Sequence, residues 1–156
     1  MCYSYVGRTP RGHSPLSLGE GCVELSVVQH ETMHALGMLH EQARPDRDEH
    51  VLYHEHNVIP DKRDQYDKFN EFANNFETPY DMLSIMHYGG TFFTIGGQPS
   101  MTYKKEGTDT GVVIVANPRK FSSMDAYEIC KLYNCNKCGG KTVSSYAGKG
   151  TRFTIF

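Results

Sequence analysis

Three histidines and a glutamate are the residues of this chain most able to do chemistry, in the run His30-Glu31-Thr32-Met33-His34-Ala35-Leu36-Gly37-Met38-Leu39-His40. His30 and His34 are four apart, so on an α-helix they project from one face, one turn apart. Two imidazoles placed that way share one tetrahedral ion at about 2.0–2.1 Å each. Gly37 ends the helix and lets the chain swing His40 back beneath the same metal as a third ligand. Three protein ligands leave a position open for water, which is the arrangement of a catalytic rather than a structural zinc. Glu31 directly follows the first ligand and lies about 100° around the helix from it, so it flanks the metal. A carboxylate there can take the proton of the zinc-bound water and deliver it to a leaving amine. The ion lowers the pKa of that water to roughly 7 and polarises the substrate carbonyl. Three imidazoles suit Zn2+ well among divalent ions. The chemistry this points to is hydrolysis of peptide bonds with one zinc per chain.

The elements that must position these residues can be read around them. A helix from about Val23 to Leu36 carries the first two histidines, with Val27, Val28, Met33, Leu36 and Met38 as its apolar positions. Met1–Val6 alternates aromatic and small polar residues and suits a short strand. Residues 7–21 are rich in Gly, Pro, Ser and Arg and read as loop. Residues 41–48 are charged and carry Pro45, and a helix-compatible stretch runs from about Asp48 to Asn57. Tyr66, Phe69, Phe72 and Phe76 have the spacing of a short amphipathic helix over 65–76. Pro79–Tyr88 holds a tight turn, and Thr91–Tyr103 is extended and punctuated by glycine. Within the turn, Ser84-Ile85-Met86-His87-Tyr88 offers Met86 as a soft, polarizable floor for three imidazoles. Ser122 or Ser123 caps a last helix through Tyr133, with Asp125 favourable in its first turn. From Asn136 onward the chain is polar and glycine-rich and is expected to pack poorly.

The bulk composition narrows the field. At 156 residues one domain is expected, long enough to bury a core. A net charge of -2 supplies no field to attract nucleic acid or an anionic membrane. The longest apolar runs, such as Val112–Ala116, are far too short for a membrane span. No secretory leader stands at the start, whereas five cysteines in a small chain suit disulfides and an oxidising compartment. No Asn-x-Ser/Thr acceptor is present to decide between the two.

Beyond the His-Glu-x-x-His core, Gly37, His40 and the downstream Met86 complete the metzincin signature. The continuation His40-Glu41-Gln42-Ala43-Arg44-Pro45-Asp46-Arg47-Asp48 resembles the extended signature of the astacin family. Pro79-Tyr80-Asp81 with Ser84-Ile85-Met86-His87-Tyr88 resembles its Met-turn block. Cys2 to Arg8 resembles its cleft-edge strand, and Met124-Asp125 to Cys135 its C-terminal helix. The resemblance covers about residues 2–135. It implies a secreted zinc metalloendopeptidase acting on protein or peptide substrates. It also implies an α+β, zincin-like fold of two subdomains about a cleft, with an active-site helix and a Met-turn. It makes Tyr88 a further zinc ligand that can swing off to steady the oxyanion, where the residues alone would suggest a packed aromatic. It pairs Cys2 with Cys22 and lays substrate as an added strand along Cys2–Tyr5. The family's first strands, first helix, signal and propeptide have no counterpart here. Cys135 and Glu41 match residues whose family partners lie in that part. The expectation is a partial catalytic domain over 1–135 and a polar, Gly-rich tail over 136–156.

Cys130, Cys135 and Cys138 are read as one disulfide and one orphan thiol. A structural zinc module built on the same three would need a fourth ligand. His50, His54 and His56 read as surface histidines. The alternative to an active peptidase is a truncated, inactive relative that holds zinc and peptide.

Overall fold

The computed structural model describes residues 1–70, 77–115 and 121–143. Strand β1 (Cys2–Ser4) pairs antiparallel with β2 (Leu16–Leu18), placing Cys2 opposite Leu18 and Ser4 opposite Leu16. The loop expected over 7–21 therefore contains a strand. Leu16-Ser17-Leu18 is too short to show a period by itself and is recruited by pairing with β1. The Cys2–Cys22 disulfide, with Cα atoms 5.7 Å apart, closes this hairpin. Such a closure removes unfolded-state freedom equivalent to about 3 kcal/mol.

Helix α1 (Leu25–Ala35) begins within two residues of the expected start. It ends because Gly37 takes φ 103, a left-handed conformation that a side chain would oppose. The amides of Gly37 and Gly7 both donate to the carbonyl of His34 at 2.8 Å. One helix-end carbonyl thus fastens the β1–β2 hairpin to the turn that leads to His40.

The helix expected over 48–57 is replaced by one turn, α2 (Arg47–His50), then β3 (Val51–Tyr53), then a 3-10 turn at Glu55–Asn57. Val51-Leu52-Tyr53 is β-branched and aromatic enough to join a sheet, and that long-range pairing overrides local helix compatibility. The sheet is β3–β4–β5, all antiparallel, with β4 (Met101–Lys105) central and β5 (Thr108–Val113) beyond it. Glu106 and Gly107 form its two-residue turn, both with positive φ. Thr91–Tyr103 is extended only from Met101; residues 91–97 are a chain of turns. Of the helix expected over 65–76, Gln65 and Tyr66 close a 3-10 segment (Pro60–Tyr66), 67–70 are irregular, and 71–76 lie outside the described residues.

Helix α3 (Ser123–Leu132) opens with a reciprocal capping box. Ser122 Oγ accepts from the Asp125 amide at 2.8 Å, and Asp125 Oδ2 accepts from the Ser122 amide at 2.7 Å. Past the helix, β6 (Lys137–Cys138) pairs with β7 (Lys141–Thr142), and a Cys130–Cys138 disulfide ties this hairpin back to α3. Cys138 is buried, so the segment beginning at Asn136 is anchored at its start. Residues 144–156 lie outside the described residues.

Two apolar clusters hold these parts together. Val51, Val58, Tyr66, Tyr80, Tyr88, Met101 and Ile114 form one; Met33, Met38, Ile85 and Met86 form the other. The turn from Pro79 to Tyr88 contributes to both, so it is seated from two sides. Beyond it Gly90 passes so close to β4 that an added Cβ would lie 2.6 Å from the Met101 carbonyl oxygen. Among the described residues no helix is long and apolar enough to cross a membrane.

Candidate metal centre

His30 and His34 stand on α1 one turn apart, and each ring is fixed by its outer nitrogen. His30 Nδ1 lies 2.8 Å from the Ile85 carbonyl and His34 Nδ1 lies 2.9 Å from the Met38 carbonyl. A carbonyl only accepts, so each Nδ1 carries the proton and each Nε2 presents a lone pair. These lone pairs converge on His40 Nε2. His34 Nε2 is 3.1 Å and His30 Nε2 is 3.3 Å from His40 Nε2. Three ligands bound at 2.0–2.1 Å on a tetrahedron stand roughly 3.3 Å apart, so the spacing matches a shared zinc. The donor set fits as well, since three imidazole nitrogens meet at one point and two of them present lone pairs that a cation can share. His30, His34 and His40 are the only such group among the described residues.

Burial favours the neutral form of two of these rings. Desolvation, then the neighbouring His34, His30 and His87, push His40 down to about 2. Desolvation also lowers His34. Protons therefore compete weakly for the nitrogens that a metal needs. Glu31 is buried on the same helix, and its carboxyl is raised by desolvation against the opposing pull of His30. Raising a carboxyl toward neutrality is what proton transfer in both directions requires.

The turn expected at Pro79–Tyr88 is present, and its Ile85 carbonyl and Tyr88 ring lie against the histidines. Met86 is buried with Met33 and Met38 on the side of α1 and its turn. The Glu41 amide donates to the Met86 carbonyl at 3.1 Å, joining the residue after His40 to the turn. The Tyr88 ring centre is 4.4 Å from that of His40. Burial first, then Tyr66 and Glu31, hold the Tyr88 phenol up at about 12, so it is protonated at neutral pH. Tyr88 is also packed in the larger core cluster.

A buried polar network supports the turn. Glu41 Oε1 accepts from Arg44 Nη1 at 3.1 Å and from the Asp81 amide at 2.7 Å. Arg44 also makes a two-point contact with Asp46 at 2.9 and 2.7 Å. Asp125 reaches from α3 to accept from Ser84 Oγ at 2.6 Å and from the Ile85 amide at 3.1 Å. Arg44 and Arg47 are buried, contrary to the plain charged stretch that residues 41–48 suggest. Sequence reasoning assigns no role to Gln42, Tyr80 or His87, all of which are buried around Tyr88. The signal for Gln42 is its place in the run from His40 to Asp48, which gives it no role by itself.

The remaining candidates separate cleanly. Cys130 and Cys138 are joined and Cys135 is free and exposed, so a three-cysteine structural metal site lacks the thiolates it needs. His54 pairs with Thr102 Oγ1 at 2.7 Å and His56 is exposed. His50 departs from a solvated surface residue: it stacks on Tyr80 with ring centres 4.6 Å apart, and desolvation lowers its pKa.

Comparison with known proteins gives a consistent result. The sequence model of the Astacin peptidase family matches residues 1–134. Zinc metalloproteinase nas-4 of Caenorhabditis elegans is 40% identical over 140 residues, 89% of this chain and 43% of its own length. Zinc metalloproteinase nas-13 of the same organism is 41% identical over 135 residues, 86% of this chain and 29% of its own length. Among solved structures, high choriolytic enzyme 1, a hatching enzyme zinc-protease from Oryzias latipes, superposes with a TM-score of 0.76 at 38% identity. That superposition covers 86% of this chain and 65% of the other. The chain spans less than half the length of these two curated relatives.

Proposed function

Because the chain belongs to the astacin family of zinc metallopeptidases and carries its α+β metzincin fold, we propose that it hydrolyses internal peptide bonds of protein substrates at the His30–His34–His40 centre. The observation that carries this reading is the convergence of three Nε2 atoms, two of them on rings held from behind by carbonyls, beside a buried glutamate. His30, His34 and His40 would hold zinc, with Tyr88 as a further ligand. Bound there, zinc supplies a Lewis acid that polarises the scissile carbonyl and acidifies water.

The chain's own residues supply the rest. Glu31, raised by burial, accepts a proton from the attacking water and returns it to the leaving amine. Tyr88 keeps its proton at neutral pH and can donate to the carbonyl oxygen as negative charge develops on it. Ile85 and Met38 carbonyls fix the tautomers of His30 and His34, so neither ring must turn during the reaction. Substrate would lie as an added strand along β1, where Tyr3 and Tyr5 are exposed. The two disulfides favour an oxidising, extracellular setting.

The test is cleavage of an unstructured protein by the purified chain, before and after chelation. Cleavage that stops with chelator and returns with zinc is the expected result. Cleavage indifferent to chelator would overturn the metal-dependent reading. Zinc bound at one per chain without any cleavage would favour the binding-only alternative.

A further inference from the structure

We propose that Gln42 and His87 are positioning residues that clamp the backbone of Tyr88 and so set where its phenol stands beside the imidazoles. The inference rests on the role given above to Tyr88 and extends it. Tyr88 lies in a turn outside any strand, so no ladder holds its peptide groups. Side chains hold them instead. The Tyr88 amide donates to Gln42 Oε1 at 3.0 Å. The Tyr88 carbonyl lies 2.7 Å from His87 Nδ1, which must be the protonated nitrogen because a carbonyl cannot donate. His87 Nε2 is then the acceptor, and Tyr80 Oη donates to it at 2.8 Å. The chain of bonds Tyr80 to His87 to Tyr88 to Gln42 therefore admits one set of proton positions.

All the members are buried. Gln42 is 0% exposed and His87 is 4% exposed, so water cannot replace either contact. Gln42 sits in the 3-10 turn Glu41–Ala43 that begins directly after His40. One side chain thus couples the third histidine's segment to the backbone of Tyr88. The His40 and Tyr88 rings, 4.4 Å apart, keep their spacing through that coupling and through packing against Tyr66.

The experiment compares the wild-type chain with Gln42→Met, Gln42→Glu, Tyr80→Phe and Tyr88→Phe. Each is loaded with zinc for kinetics and with Cu2+ for absorption spectroscopy. A phenol that gives up its proton to bind Cu2+ as phenolate produces a visible charge-transfer band, and Tyr88→Phe should lack it. Gln42→Met removes the acceptor at similar size. It should keep one metal per chain, lose or shift the band, and lower kcat roughly tenfold with KM within about twofold. Gln42→Glu keeps an acceptor and should restore the band and most of kcat. Gln42→Met with a wild-type band and wild-type kcat would overturn the clamp while leaving Tyr88's role standing. Should Gln42→Met fail to fold, Tyr80→Phe decides: a weaker change of the same kind supports the clamp and a wild-type band overturns it. A Tyr88→Phe variant matching wild type in band and kcat would remove the role of Tyr88 and the clamp with it.

Discussion

At the scale of single residues, the proposed roles divide between groups that hold a metal and groups that answer charge. Tyr88 is proposed for both, as a further ligand and as a donor to developing charge, with a phenol that burial holds protonated and a ring packed against His40 and Tyr66. Tyr88→Phe should keep the three imidazoles in place and bind zinc. It should lower kcat by roughly 10²-fold with little change in KM, the pattern of a contact made only in the transition state. Steady-state kinetics on a short peptide substrate, with zinc content measured in parallel, checks this. The proposed ligand set is legible in the sequence because helical spacing and one glycine fix it locally. Gln42 and His87 are not, because their contacts run 46 residues apart or depend on a ring tautomer set by Tyr80.

At the scale of elements, the site depends on a turn that owns little regular structure. Asp125, in the first turn of α3, accepts from Ser122 and Ile85 amides and from Ser84 Oγ. It is 1% exposed, so its removal would strand three donors. Asp125→Ala should cost about 2–4 kcal/mol, well beyond the loss of an ordinary helix cap of about 1 kcal/mol. Urea unfolding measures it; a cost near that of a cap alone would show that the turn does not rely on this carboxylate. Helix α3 and its cap can be read from the sequence since Ser122 and Asp125 are three residues apart. The Asp125 contacts to the turn span about forty residues and leave no local pattern. Strands β2 and β3 escape for a related reason. Each has three residues and exists by pairing with a distant partner, β1 for one and β4 for the other. The Glu106-Gly107 turn lacks the Asn-Gly or Asp-Gly pair that marks such hairpins most clearly.

At the scale of the whole molecule, the segment after α1, the turn and α3 meet at a buried group of carboxylates around Arg44. Burial first raises Glu128 to about 7 from an ordinary 4.5, opposed by Thr78 and Arg44 and reinforced by Asp125 and Asp81. Glu41 is raised in the same direction by burial and then by Glu128. A folded pKa above the unfolded value means that the folded chain keeps a proton the unfolded chain has released. The contribution is therefore complete below about pH 4.5 and is lost as pH rises toward about 7. Thermal unfolding of the metal-free wild-type chain and of Glu128→Gln should show a smaller fall in midpoint across that window in the variant. Equal pH dependence in the two chains would show that Glu128 ionises normally. The central claim, hydrolysis by a three-histidine zinc with Glu31 as proton carrier, is tested most directly by one paired measurement. Zinc content and cleavage of an unstructured protein are determined for the chain and for Glu31→Gln. Expected is one zinc in each, with kcat/KM reduced by about 10²–10⁴-fold in the variant. Equal cleavage by both chains, or no zinc in the wild type, would contradict it.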